Sequence, residues 1–308
     1  VALGIWLFQW IPNTLGVRMA TILWSTATLW IFNQWVEESS PKTSVPPMIW
    51  LLVFPLVHAY GFIATPDAPL FFFGALFWWK VYQLDKFSWK KMIVLGIIMA
   101  GLLYSKYHGV LLIGIVGLLK KEVWRNPAWY GAGLLGASLF LPHLNWQWQN
   151  DFPSIKYHLQ DRNEGFQPHF LLEFLLNSFF IFHPWIWIQI MKNRMYDWKW
   201  NRLPLGFIIL FFGFFLLSVL KGHVQPQWTL LAILPMAYLA TQWDINQKTR
   251  NRVWGFSIGI IFVGRLLLPI IPNFGFADNR SKALALENKI QGRNAIFSGS
   301  FQEASLYA

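Results

Sequence analysis

Apolar residues fall in ten runs, 15–36, 46–64, 70–83, 92–105, 110–119, 128–141, 170–190, 203–220, 229–241 and 253–272, with short polar stretches between them. Runs of this kind predict helices in lipid, where a spanning segment needs about 20 apolar residues. Several runs are shorter, so they are expected to recruit flanking residues or to be bent, tilted or partly re-entrant. Before the first run, IWLFQWIPN alternates Trp with aliphatic residues and predicts an interfacial helix. After Pro272 the pattern changes. SKALALENKIQG reads as an amphipathic helix, AIFSG as a short strand and FQEASLYA as the start of a second helix. The expectation is an all-α polytopic membrane domain over 1–272, followed over 273–308 by the beginning of a truncated α/β domain on the outer face. No internal repeat of fixed period interrupts this order.

Composition agrees with the pattern. The 308 residues are 55% hydrophobic and 13% charged, with a mean hydropathy of +0.39. A soluble domain carries about twice that charge fraction. The 20 Trp and 28 Phe exceed what a soluble core needs, and Trp suits the headgroup level of a bilayer. A net charge of +11 raises the question of nucleic acid. However, Lys and Arg sit in short loops and form no basic face of the kind nucleic-acid binders show. Cysteine is absent, so there is no disulfide framework and no thiolate metal site.

Charge also orients the chain. Loops 37–45, 84–91, 120–127, 191–202 and 242–252 hold 14 Lys and Arg, whereas 65–69, 106–109, 142–169 and 221–228 hold 4. The positive-inside rule assigns the first set to the cytoplasm. The N-terminus has neither Met nor a basic n-region, so it is not a signal peptide. Both ends read as cuts through a longer protein.

The polar residues gather on the outer side. Five of the 7 His, namely His108, His143, His158, His169 and His223, fall in outer loops. Ionisable groups at membrane depth are costly and are functional candidates by default. Four loops stand out. Thr65-Pro66-Asp67-Ala68-Pro69 fixes one carboxylate between two Pro residues, where it could act chemically or complement the dipole of the next helix. Ser105-Lys106-Tyr107-His108-Gly109 presents a cation that could meet a phosphate, pair with Asp67 or snorkel to the interface. The stretch from Pro142 through His143, Asp151, Lys156 and His158 to Arg162 mixes aromatic rings with amides and charges. That mix suits a sugar and an anionic group, Arg offering a bidentate fork to phosphate. Lys221-Gly222-His223 with Gln225 and Gln227 is the fourth. Together they predict one shared cavity. No compact metal-ligand spacing such as HExxH is present, which leaves a divalent metal open only for a site assembled from separate loops.

In these segments the chain resembles the GT-C glycosyltransferases of the protein-mannosyltransferase and aminoarabinose-transferase superfamily. The carriers, in order, are LGVRMATILWSTATLWIF, ATPDAPLFFFGAL, LLYSKYHGVLLI, PHLNWQWQNDFPSIKYHLQDR and KGHVQPQW. The resemblance implies a GT-C-like bundle of about ten transmembrane helices in a bacterial inner membrane, its site facing the periplasm. It implies transfer of a sugar, with inversion, from a polyprenyl-phosphate-linked donor to a glycolipid, glycan or protein acceptor. Asp67 matches the acidic residue of the second outer loop, expected to be catalytic. Lys106, His108, His143, Asp151, His158, Arg162, Lys221 and His223 match segments expected to bind substrate or lipid phosphate. The family's first outer loop, with its principal acidic residue, is expected before Val1, so residues 1–308 alone are expected to be inactive. Two other classes remain as alternatives, a transporter or lipid flippase and a non-catalytic assembly subunit.

Overall fold

A computed structural model describes residues 13–39, 45–84, 87–156, 165–193, 198–243 and 245–267. The expected α/β segment over 273–308 lies outside them. The chain divides into two compact units, Val1–Val253 and Trp254–Ala308. Of the second, only the helical stretch to Leu267 is described. Among the described residues the secondary structure is helical throughout.

The helices are α1 (Asn13–Ser39), α2 (Met48–Leu51), α3 (Pro55–Tyr60), α4 (Asp67–Tyr82), α5 (Trp89–Ser105), α6 (Gly109–Leu119), α7 (Pro127–Gln149), α8 (Pro153–Lys156), α9 (Pro168–Ile181), α10 (Pro184–Asn193), α11 (Trp198–Ser218), α12 (Ile233–Thr241) and α13 (Gln247–Leu267). Each of the ten apolar runs recurs as helix, but three are broken. Run 46–64 splits into α2 and α3, and run 229–241 begins as the 3₁₀ turn Pro226–Ala232 before α12. Run 170–190 bends by 86° between α9 and α10. The expected outer loop 142–169 is also shorter than its composition suggests, because α7 continues through Pro142 to Gln149. Amides and Trp there sit on a helix, where a polar composition is no barrier to helical backbone.

Among the described residues no single helix is long and apolar enough to cross a membrane, whereas α9 and α10 together are. For α1 length is not the obstacle: its 27 residues reach ~40 Å at 1.5 Å per residue. Its three Trp, two Asn and a Gln lower its hydropathy. The bend at α9–α10 has a local cause. His183 holds a left-handed φ of 69°, a conformation that costs a non-glycine residue about 1 kcal/mol or more. Both its ring nitrogens are engaged: Nδ1 accepts the Trp185 N–H at 3.2 Å, and Nε2 donates to the Val253 carbonyl at 3.3 Å. The imidazole thus caps the first turn of α10.

The core of the first unit surrounds α12, all nine residues of which are buried. A helix apolar on every side is stable only inside such a shell. Trp35 stacks on both Trp78 and Tyr238, at 5.7 and 4.9 Å between ring centroids, and ties α1 and α4 to α12. Backbones approach closely between α5 and α7. Gly96 and Ala100 on one helix face Ala132 and Gly136 on the other, each pair four residues apart. A Cβ on Gly96 would stand 3.0 Å from the Ala132 carbonyl oxygen, and one on Gly136 3.1 Å from that of Gly96. Small residues at four-residue spacing are how helices pack where lipid removes the hydrophobic drive between them. The clasp sets the C-terminal end of α5 beside that of α7.

Because backbone cannot give way as a side chain can, Gly136→Leu is expected to destabilise the first unit by at least ~1–3 kcal/mol. Gly114→Ala, where an added Cβ meets open space, serves as the neutral control. Thermal unfolding in detergent or nanodiscs reads the difference, and equal midpoints for the two variants would contradict the clasp.

Candidate functional site

The site begins with the turn before α4. Pro66 holds the N-cap position without donating or accepting a side-chain bond, and Asp67 is the first helical residue. A carboxylate there lies at the positive end of the helix dipole. Yet its nearest partner comes from another helix. Lys106 Nζ donates to Asp67 Oδ1 at 2.8 Å, from the extended residue that closes α5. The carboxylate side chain is 5% exposed and the ammonium side chain 21%. At this burial a lone charge would be strongly destabilising, so each group requires the other.

Asp67 also lines a cavity of about 170 Å³. Ser25 and Thr28 of α1 and His58 and Tyr60 of α3 are the other polar side chains of a wall that is otherwise apolar, with Leu29, Leu52, Phe62 and Phe71 among its residues. The Ser25 hydroxyl donates to the Gly61 carbonyl at 3.0 Å, and His58 Nε2 donates to the Leu52 carbonyl at 2.7 Å. The first bond ties α1 to the end of α3, and the second spans the break between α2 and α3. Arg18, two turns before Ser25 on α1, lays its guanidinium 4.6 Å from the centre of the Phe62 ring.

A second polar group adjoins Lys106. Gln147, 1% exposed, donates from Nε2 to the Tyr107 hydroxyl and to Ser154 Oγ, each at 2.8 Å. The Ser154 N–H returns to Gln147 Oε1 at 3.3 Å and fixes the amide orientation. The Tyr107 hydroxyl and His143 Nε2 share a hydrogen bond at 2.6 Å. The network joins the α5–α6 turn to α7 and α8 immediately beside the ion pair.

The remaining predicted residues lie elsewhere. His108 packs its ring 5.2 Å from Trp228 and 5.6 Å from Phe215. Asp151, at a left-handed φ of 62°, pairs with Lys156 on an exposed surface. His223 faces Glu173 at 3.3 Å, and Lys221 is exposed. None of these four lines the cavity that holds Asp67. The four loops therefore do not share this cavity: charge partners close at hand hold Asp151 and His223 in their own neighbourhoods. His158 and Arg162 lie outside the described residues. Composition by side singled out loops and so missed Ser25, Thr28, Tyr60 and Arg18, which helices present. Their signal was spacing, since Arg18, Ser25 and Thr28 fall on one face of α1. Among the described residues no group of three or more His, Asp or Glu is placed to hold a metal ion.

The family model described as dolichyl-phosphate-mannose-protein mannosyltransferase matches residues 1–146. The matched stretch carries Arg18, Ser25, His58, Tyr60, Asp67, Lys106 and His143. Over that stretch the chain is similar to a family of membrane-embedded glycosyltransferases of the protein-mannosyltransferase type. No curated protein and no solved structure matches the chain.

If Asp67 and Lys106 hold each other, either Asp67→Asn or Lys106→Met should cost up to ~3 kcal/mol, somewhat below a fully buried pair because the lysine keeps some solvent. The double variant should recover part of that loss, since it strands no charge. A double-mutant cycle on thermal midpoints measures the coupling, and strictly additive losses would contradict it.

Proposed function

We propose that the chain takes part in transferring a sugar from a polyprenyl-phosphate-linked donor to a hydroxyl acceptor on the extracytoplasmic face of a membrane. Similarity over residues 1–146 to a family of glycosyltransferases supports the reaction class. The observation that carries the reading is a buried carboxylate that opens on a largely apolar cavity edged by a few hydroxyls and an imidazole, while a lysine from another helix holds it at 2.8 Å.

The reaction breaks the bond between the sugar's anomeric carbon and the phosphate oxygen. Polyprenyl phosphate departs with the electron pair, the acceptor oxygen bonds to the anomeric carbon, and its proton passes to a base. With Oδ1 on Lys106, Asp67 keeps Oδ2 to accept a hydrogen bond from an acceptor or sugar hydroxyl. Lys106 acts on this reading as a positioning residue, fixing the carboxylate rotamer. The Gln147–Tyr107–His143 network steadies the turn from which Lys106 reaches across. The Ser25 and Thr28 hydroxyls donate to backbone carbonyls, which leaves their oxygens to accept from sugar hydroxyls, and the Tyr60 hydroxyl can donate. Inversion, which the family resemblance implies, and the periplasmic side of a bacterial inner membrane are parts of the same proposal; the sidedness is supported by the 14 to 4 split of basic residues between loop sets.

The bent pair α9–α10, broken at an ionisable residue, is a feature that would suit a transporter, whose sites use broken helices. Its His183, however, is bonded through both ring nitrogens to backbone. That ring completes a cap and leaves no nitrogen for cargo, so the enzyme reading is favoured.

Asp67→Asn keeps the shape of the side chain and removes its charge. In the complete protein it should reduce transfer by about 100-fold or more, the usual scale for losing a positioned acid or base. Radiolabelled sugar transfer from polyprenyl-phosphate donor measures it, and wild-type turnover in a folded Asp67→Asn protein would sink the assignment.

A further inference from the structure

We propose that an anionic phospholipid headgroup docks where α4 ends and α5 begins, its phosphate held by Lys80 and Lys90. The proposal rests on the placement of loop 84–91 at the inner face of the bilayer and is independent of the transfer reading. The starting point is the end of α4, on which lysines from three helices converge. Lys91 of α5 donates to the Gln83 carbonyl at 2.6 Å, and Lys120, which closes α6, donates to the Val81 carbonyl. A helix C-terminus carries partial negative charge and unpaired carbonyls, so these two ammoniums cap α4.

Lys80 does something else. It lies over the ring of Trp79, with Nζ 3.5 Å from the centre, and donates to Gln83 Oε1 at 3.1 Å. Both partners are neutral. Glu38 of α1 attracts the ammonium, but its Oε2 accepts from Trp79 Nε1 at 2.7 Å and from Gln83 Nε2 at 2.5 Å. Among the described residues no ion pair joins Glu38 to Lys80. From the start of α5, Lys90 repels Lys80. An anion that reaches both ammoniums relieves that repulsion.

The surroundings favour a lipid over a free anion. Trp89, 67% exposed, meets Phe87 edge to face at 5.2 Å, next to Lys90 in the chain. Exposed rings of this kind sit at headgroup level. Toward the bilayer centre, Lys90, Ile93 and Ile97 recur at helical spacing and share one face of α5. Both isoleucines are about half exposed, so a phosphate on Lys90 has an apolar track for its acyl chain directly beneath it. Basic pockets between helices on the cytoplasmic side take anionic headgroups in this way. A lysine that only snorkelled would extend to water, whereas Lys80 folds back on Trp79.

The test titrates the 308-residue chain in detergent with phosphatidylglycerol and with phosphatidylcholine, and reads bound lipid by native mass spectrometry. Wild type should prefer phosphatidylglycerol. Lys80→Gln and Lys90→Gln should each weaken it about fivefold, the scale of one lysine at an anionic surface, and leave phosphatidylcholine unchanged. Lys248→Gln, in the separate inner loop 242–252, should change neither. Lys90 is exposed, so Lys90→Gln carries the test if Lys80→Gln does not fold. Equal affinity of the wild type for the two lipids overturns the proposal, as does undiminished phosphatidylglycerol binding in folded Lys90→Gln. An equal loss in Lys248→Gln also overturns it, since the attraction would then belong to the whole inner face. Displacement of the lipid by inorganic phosphate would mark a site for free anions and overturn the lipid assignment.

Discussion

The bond between Lys106 and Asp67 is the constraint from which the rest of the site follows. One charge opens α4 and the other closes α5, thirty-nine residues apart in the chain, and they meet at 2.8 Å with little solvent. A buried pair of this kind adds little net stability compared with apolar residues, yet losing one partner is expensive. Such an interaction therefore specifies more than it stabilises. It fixes which ends of α4 and α5 lie together, and it holds a carboxylate ready at the wall of a cavity.

Packing makes that meeting possible. The Gly96–Ala100 and Ala132–Gly136 clasp brings α5 and α7 to backbone contact, and the ends that result present Tyr107 to His143 and Gln147. At the other end of the bundle Trp35 locks α1 and α4 against buried α12. The two arrangements have opposite chemistry, small residues in one and large rings in the other, and both suit helices that cannot rely on water to drive them together.

Much of this was readable from the chain and some was not. The positions of α1, α4, α5 and α6 follow from apolar runs bounded by Pro, Gly or charge, because propensity and burial agree there. The Asp67–Lys106 pairing was one of three readings open for Lys106, and only the helix register could choose among them. The extension of α7 to Gln149 was hidden, since Trp146, Gln147 and Trp148 have the composition of an interfacial loop and the backbone of a helix. Breaks at Phe54 and His183 were hidden for the converse reason: a run of apolar residues conceals a turn when a Pro at its next helix start is the only mark. Asp151 and His223 looked equivalent to Asp67 in sequence, but their neighbours Lys156 and Glu173 satisfy them locally.

If the pair sets both structure and chemistry, the two roles separate when the charges exchange places. The Asp67→Lys, Lys106→Asp protein, made in the complete chain, should keep a thermal midpoint close to wild type because opposite charges still meet at the same junction. It should transfer no sugar, because the carboxylate no longer stands at the head of α4 on the cavity wall. Wild-type transfer by the exchanged protein would show that the pair only holds helices together, and would contradict the account.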